Sequence, residues 1–260
     1  MKKLLHCLII IFFTLTSHGL QAAASPDIYL REKSHTDQVS VLGQILIPEE
    51  DITIESWISD DRVRQDAYDP LGNPLNSTII RLDQGKIFLI DHTSRTYSDM
   101  DYPLPVNMDS QLPIDINSLL EQMTLEVTPT SKTKMIDSWS CTKYDVRIET
   151  IDIQGQSIVI TQEIWTTNDI KINQELFKNP TLDNQPNVLI SSPTQNAITS
   201  QWNKIKGYPV LTITTTTLTT HMMGNKLDIT MTYTNELIEI TEGVPPEGIY
   251  EIPKGYTKTS

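Results

Sequence analysis

Apolar and polar residues alternate with a period of two along most of this chain, the pattern of β-strands that bury one face. Val39, Val41, Ile45 and Ile47 share one parity, and Pro48 ends that run. Ile52, Ile54 and Ile58 repeat it. Thr78 to Leu82 and Lys86 to Asp91 flank Asp83-Gln84-Gly85, where glycine supplies the positive φ of a tight turn, so a hairpin is expected. Arg95 to Met100 reads as the next strand. Thr124 to Met135, Ser138 to Ile153, Gln156 to Thr166, Tyr208 to His221 and Lys226 to Ile240 continue the series. In the last of these Leu227, Ile229, Met231 and Tyr233 alternate cleanly after a turn at Gly224-Asn225.

Two stretches break the alternation. Pro103, Pro105 and Pro113 exclude a central strand and lead into Ile114 to Met123. There Ile116, Leu119, Leu120 and Met123 fall at i, i+3, i+4 and i+7, so a short amphipathic helix is expected. In the second break, Lys171 to Phe177 suits a helical turn, and Pro180, Pro186 and Pro193 mark loop. Thr194 to Lys206 suits a second helix with Ala197, Ile198, Trp202 and Ile205 facing inward. The tail from Val244 to Tyr256 reads as extended and held by its aromatic residues. About ten strands in two groups, each followed by a helical insert, predict an α+β, β-dominated fold. The expected form is a single curved antiparallel sheet, an open half-barrel whose concave face is covered by short helices.

The first 24 residues stand apart. Lys2 and Lys3, an apolar run from Leu4 to Leu15, and Ala22, Ala23 and Ala24 form the pattern of a secretory signal peptide. That apolar run is shorter than the ~20 residues of a membrane span. The expectation is cleavage near Ala24, a periplasmic or secreted protein, one folded domain over residues 25–260, and no stable membrane insertion afterwards. Without Lys2 and Lys3 the net charge of −13 becomes −15. A surface so acidic, with no basic cluster, argues against nucleic acid and anionic lipid headgroups as partners. Cys141 is then the one cysteine left, in a strand context, and burial is its expected fate.

The search for chemistry yields no catalytic residue, no metal site and no cofactor motif. There is no Gly-x-Ser-x-Gly elbow, no Cys-x-x-Cys and no His-Glu-x-x-His. Asp60, Asp61, Asp66, Arg62 and Arg64 read as a solvated charged hairpin, and Asp99 and Asp101 as surface carboxylates. The large apolar residues remain. Trp57, Trp139, Trp165 and Trp202, with methionines spread over strands and inserts, suit either a filled core or an adaptable apolar cavity.

Several segments, in order, carry a resemblance. They are "WISDDRVRQD" from Trp57, "IIRLDQGKIFLIDHTSRTYSDM" from Ile79 to Met100, and "KMIDSWSCTKYDV" from Lys134 to Val146. "EIWTTNDI" from Glu163, "IKGYPV" from Ile205 and "YEIPKGY" from Tyr250 follow. The pattern resembles a poorly characterised domain-of-unknown-function family of exported bacterial proteins, similar in fold to LolA, LolB and the amino-terminal domain of RseB. The resemblance implies a half-barrel with a helical lid over an apolar cavity, and no catalytic residues. This chain departs from the carriers in a proline-rich insert, Lys178 to Pro193, and it lacks the lipobox of LolB-like receptors.

The function expected from these readings is non-enzymatic binding of a hydrophobic ligand such as a lipid or a lipoprotein acyl chain. The expected lining is Trp57, Phe88, Ile90, Leu119, Leu120, Met123 and Trp165, with the helix Ile114–Met123 as a lid that must move for release. The alternative is a cell-envelope interaction or sensor module with a filled core, binding a partner protein through a strand edge or the loop Asp101–Pro113.

Overall fold

A computed structural model of the protein describes residues 27–41, 43–102, 123–151, 157–170, 192–222 and 225–259. The signal segment, residues 114–122 of the first helical insert and the turn 171–177 lie outside the described residues, so the lid expectation does too.

The alternating segments form strands. β1 (Ile28–Thr36), β4 (Glu50–Ile58), β5 (Arg62–Tyr68), β6 (Pro74–Arg81), β7 (Lys86–Asp91) and β8 (Thr96–Asp101) come first, with β2 (Val39–Val41) and β3 (Gln44–Ile47) as a separate pair. β9 (Thr124–Ile136), β10 (Trp139–Ile151), β11 (Ser157–Thr167), β12 (Tyr208–Met222) and β13 (Asn225–Glu242) follow, and β14 (Thr257–Lys258) ends the series. The helix α1 (Ser192–Trp202) lies between β11 and β12. The two strand groups join in one 12-stranded sheet, in the order β14-β8-β7-β6-β5-β4-β1-β13-β12-β11-β10-β9. Every pairing is antiparallel except that of β14 with β8. The sheet is not closed into a barrel.

Apolar alternation does not announce β1, yet this strand joins the two halves by pairing with β4 on one side and β13 on the other. The stretch from Trp57 to Arg64 is a hairpin, turning at residues 59–61 between β4 and β5. The expected turn at Asp83-Gln84-Gly85 is a single 3-10 turn closed by Gly85 at φ 59°. Gly207, also at positive φ, brings the end of the α1 segment against the Thr167 carbonyl so closely that a Cβ would collide with it.

Opposed residues of neighbouring strands share a face, so the register traces each face across the sheet. On β9–β11 the buried face carries Val127, Tyr144, Val146, Ile148, Ile160 and Ile164, and Ile198, Trp202 and Ile205 of the α1 segment pack on it. The expected inward residues Ile198, Trp202 and Ile205 are buried, whereas Ala197 is exposed. This helix-bearing face continues through Asn235 of β13 and Ser34 of β1 to Ile52 and Ile54 of β4. It then runs across Val63, Ile80, Ile87 and Met100. Ile58 and Val63 of β4–β5 are buried on this face, whereas the opposite face of β4–β8 is covered by the tail. There Trp57, Ile79, Phe88, Ile90 and Tyr97 pack beneath Ile249, Tyr250 and Tyr256 of the tail, whose aromatics hold it as expected. A further cluster joins Ile58 and Val63 of β4–β5 to Ile136, Cys141 and Trp165 of β9–β11.

The edge strand β9 is blunted. Its Val127 N–H donates to Gln201 Oε1 at 3.0 Å, and Lys204 Nζ donates to the Val127 carbonyl at 3.1 Å. Pro129 has no N–H, and the register with β10 shifts just beyond it. Such devices keep an edge from pairing with another chain.

Candidate functional site

The seven expected lining residues do not form one wall. Trp57, Phe88 and Ile90 sit together, but on the tail-bearing face. Trp165 is buried in the cluster with Cys141, and Lys134 Nζ lies 4.3 Å from its ring centre. Met123 packs beside the α1 segment on the helix-bearing face. Leu119 and Leu120 lie outside the described residues. The others fall into three clusters because β7 reads Ile-Phe-Leu-Ile, apolar on both parities, so alternation gives no choice of face.

On the helix-bearing face of β4–β8 the apolar positions are therefore the others. Ile80, Ile87 and Met100 are opposed in successive strands and only half-buried. Leu89, two residues from Ile87, is 38% exposed. Ile54 and Ile52, also half-buried, extend this surface onto β4.

Beside it lies a polar patch that sequence reading did not find. Glu32 of β1 is 9% exposed and stands opposite Ile54, with Ser34 opposite Ile52. Asn235 Nδ2 donates to Glu32 Oε1 at 3.1 Å. Burial pushes the Glu32 carboxyl up from 4.5 to about 7, and the Asn235 bond offsets only part of that. One row along on β13, Tyr233 faces Ser34, and its hydroxyl is pushed up to about 12 by burial. Across β12, Gln162 Nε2 donates to Thr214 Oγ1 at 3.1 Å. Two amide oxygens of this patch, Asn235 Oδ1 and Gln162 Oε1, are buried and have no hydrogen-bond partner. An unsatisfied buried acceptor costs about 1–3 kcal/mol. The signal that could have located the patch is the alternation Ile28, Leu30, Glu32, Ser34: one parity of β1, turning polar halfway.

The tail-bearing face holds a second polar arrangement. Tyr256 OH lies 2.7 Å from His92 Nδ1, and His92 Nε2 lies 2.6 Å from Ser77 Oγ. Ser77 donates to Asp66, which also accepts from Arg64 Nε at 2.8 Å. Arg64 Nη1 then donates to the Ile249 carbonyl of the tail at 2.9 Å. The donors run one way only if His92 is neutral with its proton on Nε2: tyrosine to Nδ1, Nε2–H to serine, serine to aspartate. Desolvation lowers the His92 pKa and favours that form. Serine, histidine and aspartate are thus adjacent, but the carboxylate holds the serine and not the histidine, and Ser77 is 1% exposed. In a hydrolytic triad the acid orients the imidazole, which then takes the proton of an accessible hydroxyl. This chain of bonds instead ties the tail to the sheet. Arg64 and Asp66, expected in solvent, are buried because the tail lies over them.

Cys141 is buried as expected, and burial pushes its thiol up. Asp99 and Asp101 pair with Lys86, and Asp99 also with Lys258. Among the described residues no group of three metal-ligating side chains converges, and no helix is long and apolar enough to cross a membrane.

No protein-family model matches the chain, and neither does any curated protein. Among solved structures, one of PNGF-II is 14% identical at a TM-score of 0.35 over 90% of this chain. This chain spans only 31% of that protein's length. An uncharacterised conserved protein from Thermus thermophilus is 8% identical at a TM-score of 0.34, over 88% of this chain and 90% of its own. A DUF1329 family protein from Desulfovibrio piger is 9% identical at 0.20, over 87% and 89%. Likenesses this weak transfer neither fold nor activity.

Proposed function

We propose that this is an exported, non-enzymatic binding protein that shelters an apolar chain on the helix-bearing face of its sheet. The observation that carries the reading is the surface of exposed Leu89 and half-buried Ile87, Met100 and Ile54, which is continuous with the face that α1 covers elsewhere. The sheet would bend around it as an open half-barrel. Buried apolar residues of every strand from β5 through to β9, from Val63 to Ile136, make one continuous cluster beside it. Affinity comes from apolar burial at about 25 cal/mol per Å². The capped β9 edge weighs against the alternative of a partner added as an extra strand.

The test is titration of the folded protein with a hydrophobic fluorescent probe. Saturable binding is expected, weakened about tenfold by Leu89→Glu, since a desolvated carboxylate on the surface opposes an apolar chain. Circular dichroism of the variant should be unchanged, because Leu89 is already partly in water. Equal probe affinity in the two proteins would remove the ligand from this face.

A further inference from the structure

The polar patch next to the apolar surface has a composition that a filled core does not call for. Asn235 is 5% and Gln162 8% exposed, and each keeps an amide oxygen without a donor. Each amide nitrogen is engaged, Asn235 with Glu32 and Gln162 with Thr214, so the two side chains are fixed with their oxygens free. The patch is continuous in register: Ser34 opposes Asn235, Asn235 opposes Thr212, and Thr212 opposes Ile164, with Gln162 two residues from Ile164 on the same face. Glu32 adds a carboxyl, and it stands opposite Ile54, where the apolar surface begins. The Ser34 hydroxyl, buried opposite Asn235, also has no hydrogen-bond partner. Among the described residues no cationic side chain acts on Glu32.

We propose that Asn235, Gln162 and Glu32 form a head-group subsite for an uncharged amphiphile whose polar head carries hydroxyl or amide N–H donors, its apolar chain lying along Ile54 and Leu89. The proposal rests on the binding function above and specifies the class of ligand. A head with donors satisfies two acceptors that the protein leaves unmet, whereas a carboxylate or phosphate head brings more acceptors and a negative charge beside Glu32. Discrimination of this kind is strong because the wrong head leaves buried polar groups unpaired.

Three probes with closely matched chains separate the possibilities: monolauroylglycerol, laurate and dodecyltrimethylammonium, titrated calorimetrically into the full protein at neutral pH. Their heads are a neutral donor, an anion, and a cation without N–H donors. Monolauroylglycerol should bind at least about tenfold tighter than either of the others. Gln162→Met and Asn235→Leu, tested separately, should each reduce that preference. Gln162→Met should also raise the melting temperature of the unliganded protein, since it removes a buried orphan acceptor. Equal binding of all three probes overturns the subsite but leaves the apolar-chain reading intact. Tighter laurate or trimethylammonium binding also overturns it, and binding of none overturns both.

Discussion

The two halves of the sheet carry different covers on opposite faces, while Ile58 and Val63 between them are buried on the helix-bearing face too. On β9–β11 the covering element is α1, set between two strands and held by Trp202, Ile198 and the edge bonds of Gln201 and Lys204. On β4–β8 it is a tail with hardly any regular structure, held by Tyr250, Tyr256 and a chain of buried polar groups. A helix meets its own backbone hydrogen bonds and needs only an apolar stripe. The tail cannot, so the sheet supplies Arg64 and Arg81 as donors to its carbonyls. That difference is why arginines are buried under the tail and none is needed under the helix.

The largest effect should come from the helical side. Trp202→Ala removes the main contact between α1 and the sheet, and about 3–5 kcal/mol of stability should be lost in urea unfolding. On the tail side, Asp66→Ala leaves Arg64 buried without its carboxylate, at a cost of about 3 kcal/mol or more. Limited proteolysis should then cut first in residues 244–256; uncut tail with lowered stability would show that the network serves the sheet alone.

Glu32, between the halves, should make stability depend on pH. Its folded pKa of about 7 lies above the ordinary 4.5, so its contribution is fully present below pH 4.5 and is lost as pH rises through about 7. The shift corresponds to about 3 kcal/mol. Tyr208, Tyr233 and Asn235 are the polar groups acting on it or acted on by it, none of them cationic. Glu32→Gln should flatten the profile between pH 5 and 8 and stabilise the protein at the upper end; an unchanged profile would place the titration elsewhere. The smallest effect is expected from Tyr256→Phe, which loses one hydrogen bond to His92, about 1 kcal/mol. Amide exchange should quicken in β14 and not in β9.

Long hairpins with one apolar parity are legible in the sequence: β6–β7, β9–β11 and β12–β13 all form where alternation places them, and so does α1. β1 is not, because Glu32 and Ser34 occupy half of its buried face. β5 reads as solvated for the same reason, its buried positions including Arg64 and Asp66. Parity on β7 is ambiguous, since four consecutive apolar residues fit either face, and only the tail decides which pair is covered. A step of one residue there moves every side chain to the other side of the sheet, and Phe88 and Ile90 lie on the side under the tail. Buried polar groups escape any reading that identifies interiors by their lack of polarity.

The pairing of Thr257 and Lys258 with β8 has a consequence in time rather than in space. The residues that close the tail-bearing face lie C-terminal to every strand they cover. During synthesis, therefore, the tail cannot cover Ile79 and Ile90 until the whole sheet has emerged. The first half of this protein waits for the last.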